Sequence, residues 1–302
     1  MNNFPKPLVS ICCITYNHEK FIQKAIEGFL MQKTNFEIEL LIHDDSSTDS
    51  TPEIIKKFKK KYPEIIKPIY QRVNQYSLGI GISIKYQFPR VSGKYFALCE
   101  GDDYWIDPNK LQMQVDYLEA NKDCAVCGTR VRREWLVNGE NVFKEIEGND
   151  EFVYYNYLDI LYGRAVSHTS TNLFRKELIK DLISVEGVYN GDKLLLMRAL
   201  QDGGYLVVLP AVTSVYRNHQ GGVWSNATKE KRNKSYYALF CAYKEVIPSK
   251  YHNHALRLRS YYATILFSIS LKNFKFKQAF SYLRHLRPYP KNIKPFFKFL
   301  IK

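Results

Sequence analysis

The sequence predicts an α/β fold built on a mostly parallel sheet. Short apolar runs alternate with amphipathic segments from residue 7 to about 125, and two of those runs end in paired aspartates, Asp44-Asp45 and Asp102-Asp103. Such alternation reads as βαβα order with right-handed crossovers. Near residue 229 the pattern changes to continuous helix with a strong positive excess, which marks a second region.

The elements follow in order. Residues 8–14 form a first strand that opens onto Thr15-Tyr16-Asn17, and Phe21, Ile22, Ala25, Ile26, Phe29 and Leu30 then recur at helical spacing. Residues 39–43 read as a buried strand ending in Asp44-Asp45-Ser46-Ser47-Thr48-Asp49-Ser50-Thr51, directly before a helix that carries Ile54, Ile55, Phe58 and Tyr62. Residues 65–70 form a strand, 78–89 a helical region, 95–99 a strand, and 111–118 a helix. Beyond residue 125 the pattern is less regular. Strands are expected at 125–131 and 135–143 around the turn Asn138-Gly139, a helix at 154–161, a strand passing into a helix at 173–183, and a helix at 194–200. Strands at 205–209 and 212–216 are separated by Pro210. The helical pattern from Lys229 onward breaks near Pro248, Asn273 and Pro288.

A chain of 302 residues accommodates one α/β domain of roughly 200 residues plus an appendage. The six cysteines lie mostly within apolar runs, as small buried hydrophobes do, and suggest a reducing compartment. Cys124 and Cys127 have C-x-x-C spacing, but no second pair completes a zinc site and the segment reads as strand. No charged region followed by a long apolar run opens the sequence, so no signal peptide is expected. The longest uncharged apolar stretch, 260–271, falls short of the roughly 20 residues a spanning helix needs.

Chemistry concentrates where strands end, as it does in open α/β sheets. Glu100-Gly101-Asp102-Asp103 follows the apolar run at 95–99. Two adjacent carboxylates repel unless a cation lies between them, and oxygen ligands favour a hard ion such as Mg²⁺ or Mn²⁺. The same residues would also serve as an acidic turn capping the helix that begins near Pro108. The second acidic turn at Asp44-Asp45 and the polar edge at Thr15-Tyr16-Asn17 open on the same side, and together the three edges describe a nucleotide site.

Five segments in this order resemble the inverting family 2 glycosyltransferases of the GT-A fold, across roughly residues 7–225. They are Val9-Ser10-Ile11-Cys12-Cys13-Ile14-Thr15-Tyr16-Asn17; the run from Asp44 to Thr51; Glu100-Gly101-Asp102-Asp103-Tyr104-Trp105 with Pro108-Asn109-Lys110-Leu111; Gly191-Asp192 followed by Arg198; and Tyr216-Arg217-Asn218-His219-Gln220-Gly221-Gly222-Val223-Trp224. The resemblance implies that Thr15, Tyr16, Asn17, Asp44 or Asp45, and Asp102 hold the base and ribose of a nucleotide. It implies that Asp103, with Asp102 and His219, binds Mn²⁺ or Mg²⁺, which neutralises charge on a departing diphosphate. Glu100 replaces the usual first aspartate of that motif. Asp192 is the implied base that deprotonates the acceptor hydroxyl; it opens a helical run, although it would also serve as a simple helix cap. Glu100, Trp105, His168, Arg217 and Trp224 are further candidates for contact with sugar or diphosphate. For His168, Trp105 and Trp224 a purely structural place is an equal expectation.

The resemblance implies a donor that is a nucleoside diphosphate sugar, with uridine favoured by its frequency in the family, and a glycan or lipid-linked glycan acceptor in cell-surface polysaccharide assembly such as O-antigen or capsule. The Gln-x-x-Arg-Trp signature and membrane spans of processive members are missing from the sequence, so one sugar per encounter is expected. Two alternatives remain open: a non-catalytic nucleotide-sugar-binding or scaffold protein, suggested by Glu100 and Gly191, and a sugar nucleotidyltransferase, whose glycine-rich loop is not matched after the first strand.

The expected catalytic domain is 1–228, with a nucleotide half at about 7–125 and an acceptor half at 126–228, followed by a basic helical region at 229–302. That last region holds 17 Lys and Arg against two acidic residues, a net of +15, while residues 1–228 carry a net of −1. Basic helices interleaved with aromatics suit an anionic membrane surface. A cytoplasmic protein, peripheral at the inner face of the membrane, is therefore expected. No recognised nucleic-acid module accompanies the charge, so nucleic acid is not expected as a partner.

Overall fold

The computed structural model describes residues 6–137, 140–145, 151–179, 182–189, 191–219, 221–222 and 227–286. Trp224, Gln220 and the basic stretch 287–302 lie outside the described residues. The chain divides into two units: Met1–Ile183 with Leu195–Gly222, and Ser184–Leu194 with Val223–Lys302.

In the first unit, β1 (Val9–Thr15) is followed by α1 (Ile22–Leu30), β2 (Ile38–Asp44), α2 (Thr51–Lys61), β3 (Ile66–Tyr70) and β4 (Tyr95–Leu98). Ile22, Ala25, Ile26 and Phe29 of α1 are all buried, as their spacing requires. β1 pairs in parallel with β2 and with β4, and β2 in parallel with β3. The β1–β2 register sets Thr15 opposite Asp44, which brings both polar strand ends to one edge. The region expected to be helical at 78–89 is shorter than its pattern suggests: one π turn at Ser83–Gln87 runs into a 3₁₀ turn at Phe88–Arg90, where Pro89 cannot supply a backbone donor.

The elements that follow, up to residue 218, are β5 (Tyr104–Trp105), α3 (Lys110–Ala120), β6 (Cys124–Val137), β7 (Glu140–Glu145), β8 (Val153–Tyr155), α4 (Tyr157–Tyr162), β9 (Leu173–Arg175), α5 (Gly191–Leu200) and β10 (Tyr205–Asn218). The boundary between the two units falls inside α5. Among the described residues one mixed sheet has the order β3-β2-β1-β4-β9-β6-β10-β5, with β7 on β6 and β8 on β10. It is parallel from β3 to β4, and β9 joins it antiparallel to both β4 and β6. Three boundaries differ from the sequence reading. The strands expected at 125–131 and 135–143 are the continuous β6 and a separate β7 paired antiparallel to it. Pro210 does not split β10; the strand passes it with register shifts between Val208 and Ser214, the bulge that a missing N–H favours. The helix expected after β9 is a 3₁₀ turn, Lys176–Ile179.

Beneath the opposite edge of the sheet from the polar strand ends, Glu39 is buried and fully engaged. Its Oε1 accepts from Ser10 Oγ at 2.5 Å, from the Ser92 N–H at 2.9 Å and from Ser92 Oγ at 2.6 Å, while Lys67 Nζ lies 2.6 Å from Oε2. Burial opposes ionisation, but the bonds from Lys67, Ser10 and Ser92 outweigh it and hold the carboxyl below its ordinary value. A carboxyl depressed in the folded state stabilises the fold above its unfolded pKa, and that contribution is lost as pH falls through the folded value. Glu39→Gln is therefore expected to cost about 1–3 kcal/mol at pH 7. In thermal melts the gap from wild type should close in acid; a gap independent of pH would assign the loss to packing alone.

The second unit is helical: α6 (Lys229–Cys241), α7 (Tyr243–Val246), α8 (His252–Lys272) and α9 (Phe276–Leu283). Thr228 caps α6 by accepting the Lys231 N–H at 3.1 Å. Ala263 and Leu266 of α8 pack with Tyr282 of α9 in a small core that Tyr237, Phe267 and Leu286 border. Tyr262 stacks on Tyr236 and Phe240 of α6 with ring centroids 5.1 and 5.7 Å apart. Among the described residues no helix is long and apolar enough to cross a membrane.

Candidate active site

The site is assembled at the carboxyl ends of β1, β2 and β4. Past β4 the chain stays hydrogen-bonded to β1: the Cys99 N–H donates to the Cys12 carbonyl at 3.1 Å and the Gly101 N–H to that of Ile14 at 2.9 Å. On the other side the Asp45 N–H donates to the Thr15 carbonyl at 2.9 Å. A Cβ at position 101 would stand 2.8 Å from Thr15 Oγ1 and 2.9 Å from Thr15 Cβ, so only glycine lets the acidic turn lie on the end of β1. Thr15 Oγ1 is buried there and, among the described residues, has no hydrogen-bond partner.

Asn17 ties the first edge to the second. It adopts φ 53°, a left-handed conformation that asparagine tolerates better than most residues. Its N–H donates to Ser47 Oγ at 2.9 Å and its Oδ1 accepts the Thr48 N–H at 2.8 Å. The next two N–H groups continue the seam, His18 to Thr51 Oγ1 at 2.9 Å and Glu19 to Asp49 Oδ2 at 3.0 Å. Tyr16, 44% exposed, is presented outward from this seam. The paired aspartates of β2 have separate tasks. Asp45 accepts the N–H of Gln75 at 2.8 Å and of Tyr76 at 3.0 Å, which pins the loop after β3. Asp44 accepts the Ser47 hydroxyl, and burial pushes its carboxyl up.

Asp102 and Asp103 are held from behind by β10. Its antiparallel pairing with β5 sets Val215 opposite Tyr104, which carries Arg217 and His219 back over the acidic turn. The Arg217 N–H donates to Asp103 Oδ1 at 3.0 Å, its Nη1 to the Asp102 carbonyl at 2.8 Å and its Nε to Glu134 Oε2 at 3.1 Å. The guanidinium also lies over the rings of Tyr104 at 4.2 Å and Phe21 at 5.2 Å. Arg217 is thus a brace for the acidic turn. His219 Nε2 lies 3.0 Å from Asp102 Oδ2, with His18 Nε2 3.8 Å from the same oxygen. His168 Nδ1 stands 3.9 Å from Asp103 Oδ2 and 2.9 Å from Ser170 Oγ. Glu100 is exposed beside the turn.

Of the two places expected for Trp105, it takes the core one. It is 2% exposed, donates its indole N–H to the Ser170 carbonyl at 2.8 Å, meets Phe29 edge to face at 4.9 Å and has Lys110 Nζ 4.6 Å above its ring. A ring so enclosed belongs to the core and offers no face to a sugar.

Two carboxylates lie largely buried, side by side, in the turn. Burial and the neighbouring Asp102 push the Asp103 carboxyl well above the ordinary carboxylate range. Burial works against ionisation of Asp102 too, yet the His219 hydrogen bond and the neighbouring His18 imidazole hold its carboxyl low. Burial and Arg133 push His168 down to about 4, so its ring is neutral at pH 7. Asp102 Oδ1 is buried with no hydrogen-bond partner among the described residues. An orphaned carboxylate oxygen beside a buried second carboxylate fits a divalent ion. Among the described residues no group of three His, Cys, Asp or Glu side chains is arranged to hold an ion by itself, so such an ion would complete its shell with phosphate oxygens and water, as Mg²⁺ does.

Asp192, the candidate base, is exposed in the first turn of α5, and its Oδ1 accepts the Lys193 N–H at 2.8 Å. Helix N-termini favour the charged form of such a carboxylate. Burial lowers the pKa of Lys193 to about 8, against the opposing pull of Asp192.

Residues 10–183 match the profile of the family described as "Glycosyl transferase family 2". The chain belongs to that family. Other members and neighbours agree with this placement. An uncharacterized protein of Mycobacterium tuberculosis is 34% identical over 229 residues, 74% of this chain and 62% of that protein, so the chain spans about three fifths of that relative's length. The Escherichia coli UDP-Glc:alpha-D-GlcNAc-diphosphoundecaprenol beta-1,3-glucosyltransferase WfaP is 28% identical over 228 residues, 74% of this chain and 82% of WfaP. In structure, Staphylococcus aureus TarS 1–349 in complex with UDP-GlcNAc superposes with a TM-score of 0.67 at 21% identity, covering 91% of this chain and 79% of TarS 1–349. That likeness establishes the GT-A fold.

Within this family 2 site, sequence reasoning missed His18 and Glu134. His18 directly follows the Thr15-Tyr16-Asn17 edge, and that adjacency was the available signal. Glu134 carries none, because it reaches Arg217 only through the parallel pairing of β6 with β10, which sets the two residues opposite each other.

Proposed function

We propose that the chain is a metal-dependent, inverting, non-processive glycosyltransferase that moves a sugar from a nucleoside diphosphate donor, a uridine one by preference, to a glycan or lipid-linked glycan in cell-surface polysaccharide assembly. The observation that carries the reading is the pair Asp102-Asp103, with one carboxylate oxygen buried and, among the described residues, unpartnered. Asp103 and Asp102, with His219 beside them, would hold Mn²⁺ or Mg²⁺, which supplies Lewis-acid stabilisation of the departing diphosphate. Thr15, Tyr16, Asn17 and Asp44 line the edge proposed for base and ribose. Asp45 contributes there by fixing the loop after β3, and Arg217 by holding both aspartates in register. His168, neutral at pH 7, and Glu100 border the turn on the side proposed for sugar and diphosphate.

Asp192 is the proposed general base. It removes the proton from the acceptor hydroxyl as that oxygen bonds to the anomeric carbon and the bond from that carbon to the diphosphate oxygen breaks. The motif position of Asp192 and its place at a helix N-terminus support the role. The similarity to WfaP, whose name describes a diphosphoundecaprenol-linked acceptor, supports a lipid-linked glycan. Such an acceptor and the net +15 of residues 229–302 support a peripheral place at the inner face of the membrane.

Donor hydrolysis and transfer with UDP-, GDP- and dTDP-sugars in Mn²⁺, Mg²⁺ or EDTA test the reading. Metal-dependent release of one nucleoside diphosphate is expected. If no nucleotide sugar is turned over, yet one binds, the chain is a non-catalytic member of the fold.

A further inference from the structure

We infer that the outer face of α9 and the turn before it form a docking surface for an anionic phospholipid bilayer. The inference rests on the peripheral-membrane part of the proposed function and deepens it by naming the surface. Phe276, Phe280 and Leu283 recur at i, i+4 and i+7, so they line one face of α9, and they are 53%, 64% and 40% exposed. The flank of that face is already used: Ala279 and Tyr282 are buried, with Tyr282 packed on Ala263 and Leu266 of α8. A surface helix ordinarily buries its apolar stripe and turns polar residues to water. In α9 the stripe runs on past the buried positions, so that Phe276, Phe280 and Leu283 stay exposed, while Lys277, Ser281 and Arg284 take the far side.

The turn itself gives a second, independent sign. Phe274 closes α8 in the left-handed region, at φ 55°, with its N–H bonded to the Leu271 carbonyl and the Lys275 N–H to that of Ser270 at 2.8 Å. That position is ordinarily glycine, because a bulky side chain there is strained. Phe274 accepts the strain with its ring 80% exposed and 6.3 Å from that of Phe276. That one exposed ring contact does little to offset the strain within the fold, which points to a partner outside it.

Charge selects the partner. Lys272, Lys275, Lys277 and Arg284 flank the apolar face and are exposed, and no Asp or Glu follows Glu245 in the sequence. A second copy of this face would set cation against cation. A bilayer with anionic headgroups takes the rings below its surface and the cations at it.

Co-sedimentation of the full chain with phosphatidylcholine vesicles, with and without phosphatidylglycerol, tests the assignment. Wild type should bind only the anionic vesicles. Phe274→Gly should weaken that binding about tenfold while the thermal midpoint stays level or rises, because glycine relieves the turn. Phe276→Ser with Phe280→Ser should weaken it further, with donor hydrolysis unchanged. If wild type binds neither vesicle, the peripheral-membrane reading fails. If wild type binds and the variants bind equally well, that reading stands and the α9 surface is wrong. Self-association that Phe280→Ser abolishes, without lipid binding, would assign the face to a second copy and overturn the inference.

Discussion

Asp103→Asn is expected to remove metal-dependent turnover while leaving the fold as stable as before, or more so. The Asp103 side chain is almost wholly buried beside Asp102, and its contacts within the fold are the Arg217 N–H at 3.0 Å and the distant His168. An asparagine oxygen accepts the same N–H, so the brace from β10 survives. What disappears is a buried charge that burial and Asp102 already disfavour. Cation binding loses its main ligand, and several kcal/mol of stabilisation of the leaving diphosphate go with it, about a thousandfold in rate. Steady-state hydrolysis in Mn²⁺ and a thermal melt in EDTA give the two readouts. Loss of turnover with a lower melting point would mean that Asp103 serves the fold first. Turnover within tenfold of wild type would remove it from the metal site.

Asp192→Asn is expected to act on the chemical step alone. Asparagine keeps the local geometry, since its side-chain oxygen still accepts the Lys193 N–H, but it cannot take a proton. A positioned general base contributes about 10²–10⁴ in rate. The transfer kcat should fall by that factor with donor KM changed little, the pattern of an interaction made only in the transition state. An unchanged kcat would place the base elsewhere. A raised donor KM with kcat preserved would give Asp192 a binding role in its stead.

Most of the parallel part of the sheet, β1 to β4, is readable from residues because its signals are local. Buried parallel strands are short apolar runs, their polar ends follow immediately, and α1 declares its inner face through Ile22, Ala25, Ile26 and Phe29. The second half was harder to read because long-range pairing, which no local window contains, decides it. β5 has two residues and exists because β10 lies against it. β10 runs past Pro210, which the sequence reading took as a break, because the sheet absorbs the lost donor as a bulge. The site shows the same division. Asp102 and Asp103 were identifiable from their place after an apolar run, but Asp44 and Asp45 looked equivalent until the loop after β3 was seen to occupy both oxygens of Asp45. For Trp105 the sequence leaves a sugar contact and a core place equally open. Only the packing of Phe29 and Lys110 on its ring shows that it faces inward.

The proposed chemistry requires that the acidic strand ends hold a diphosphate through a cation. Calorimetric titration of UDP into the wild-type chain, in Mn²⁺ and again in EDTA, measures this without any acceptor. Mn²⁺ should tighten UDP at least about tenfold, equivalent to about 1.4 kcal/mol, and the gain should vanish in Asp103→Asn. Equal affinity with and without the ion, or a gain that Asp103→Asn retains, would contradict the account and leave the paired aspartates as structural caps.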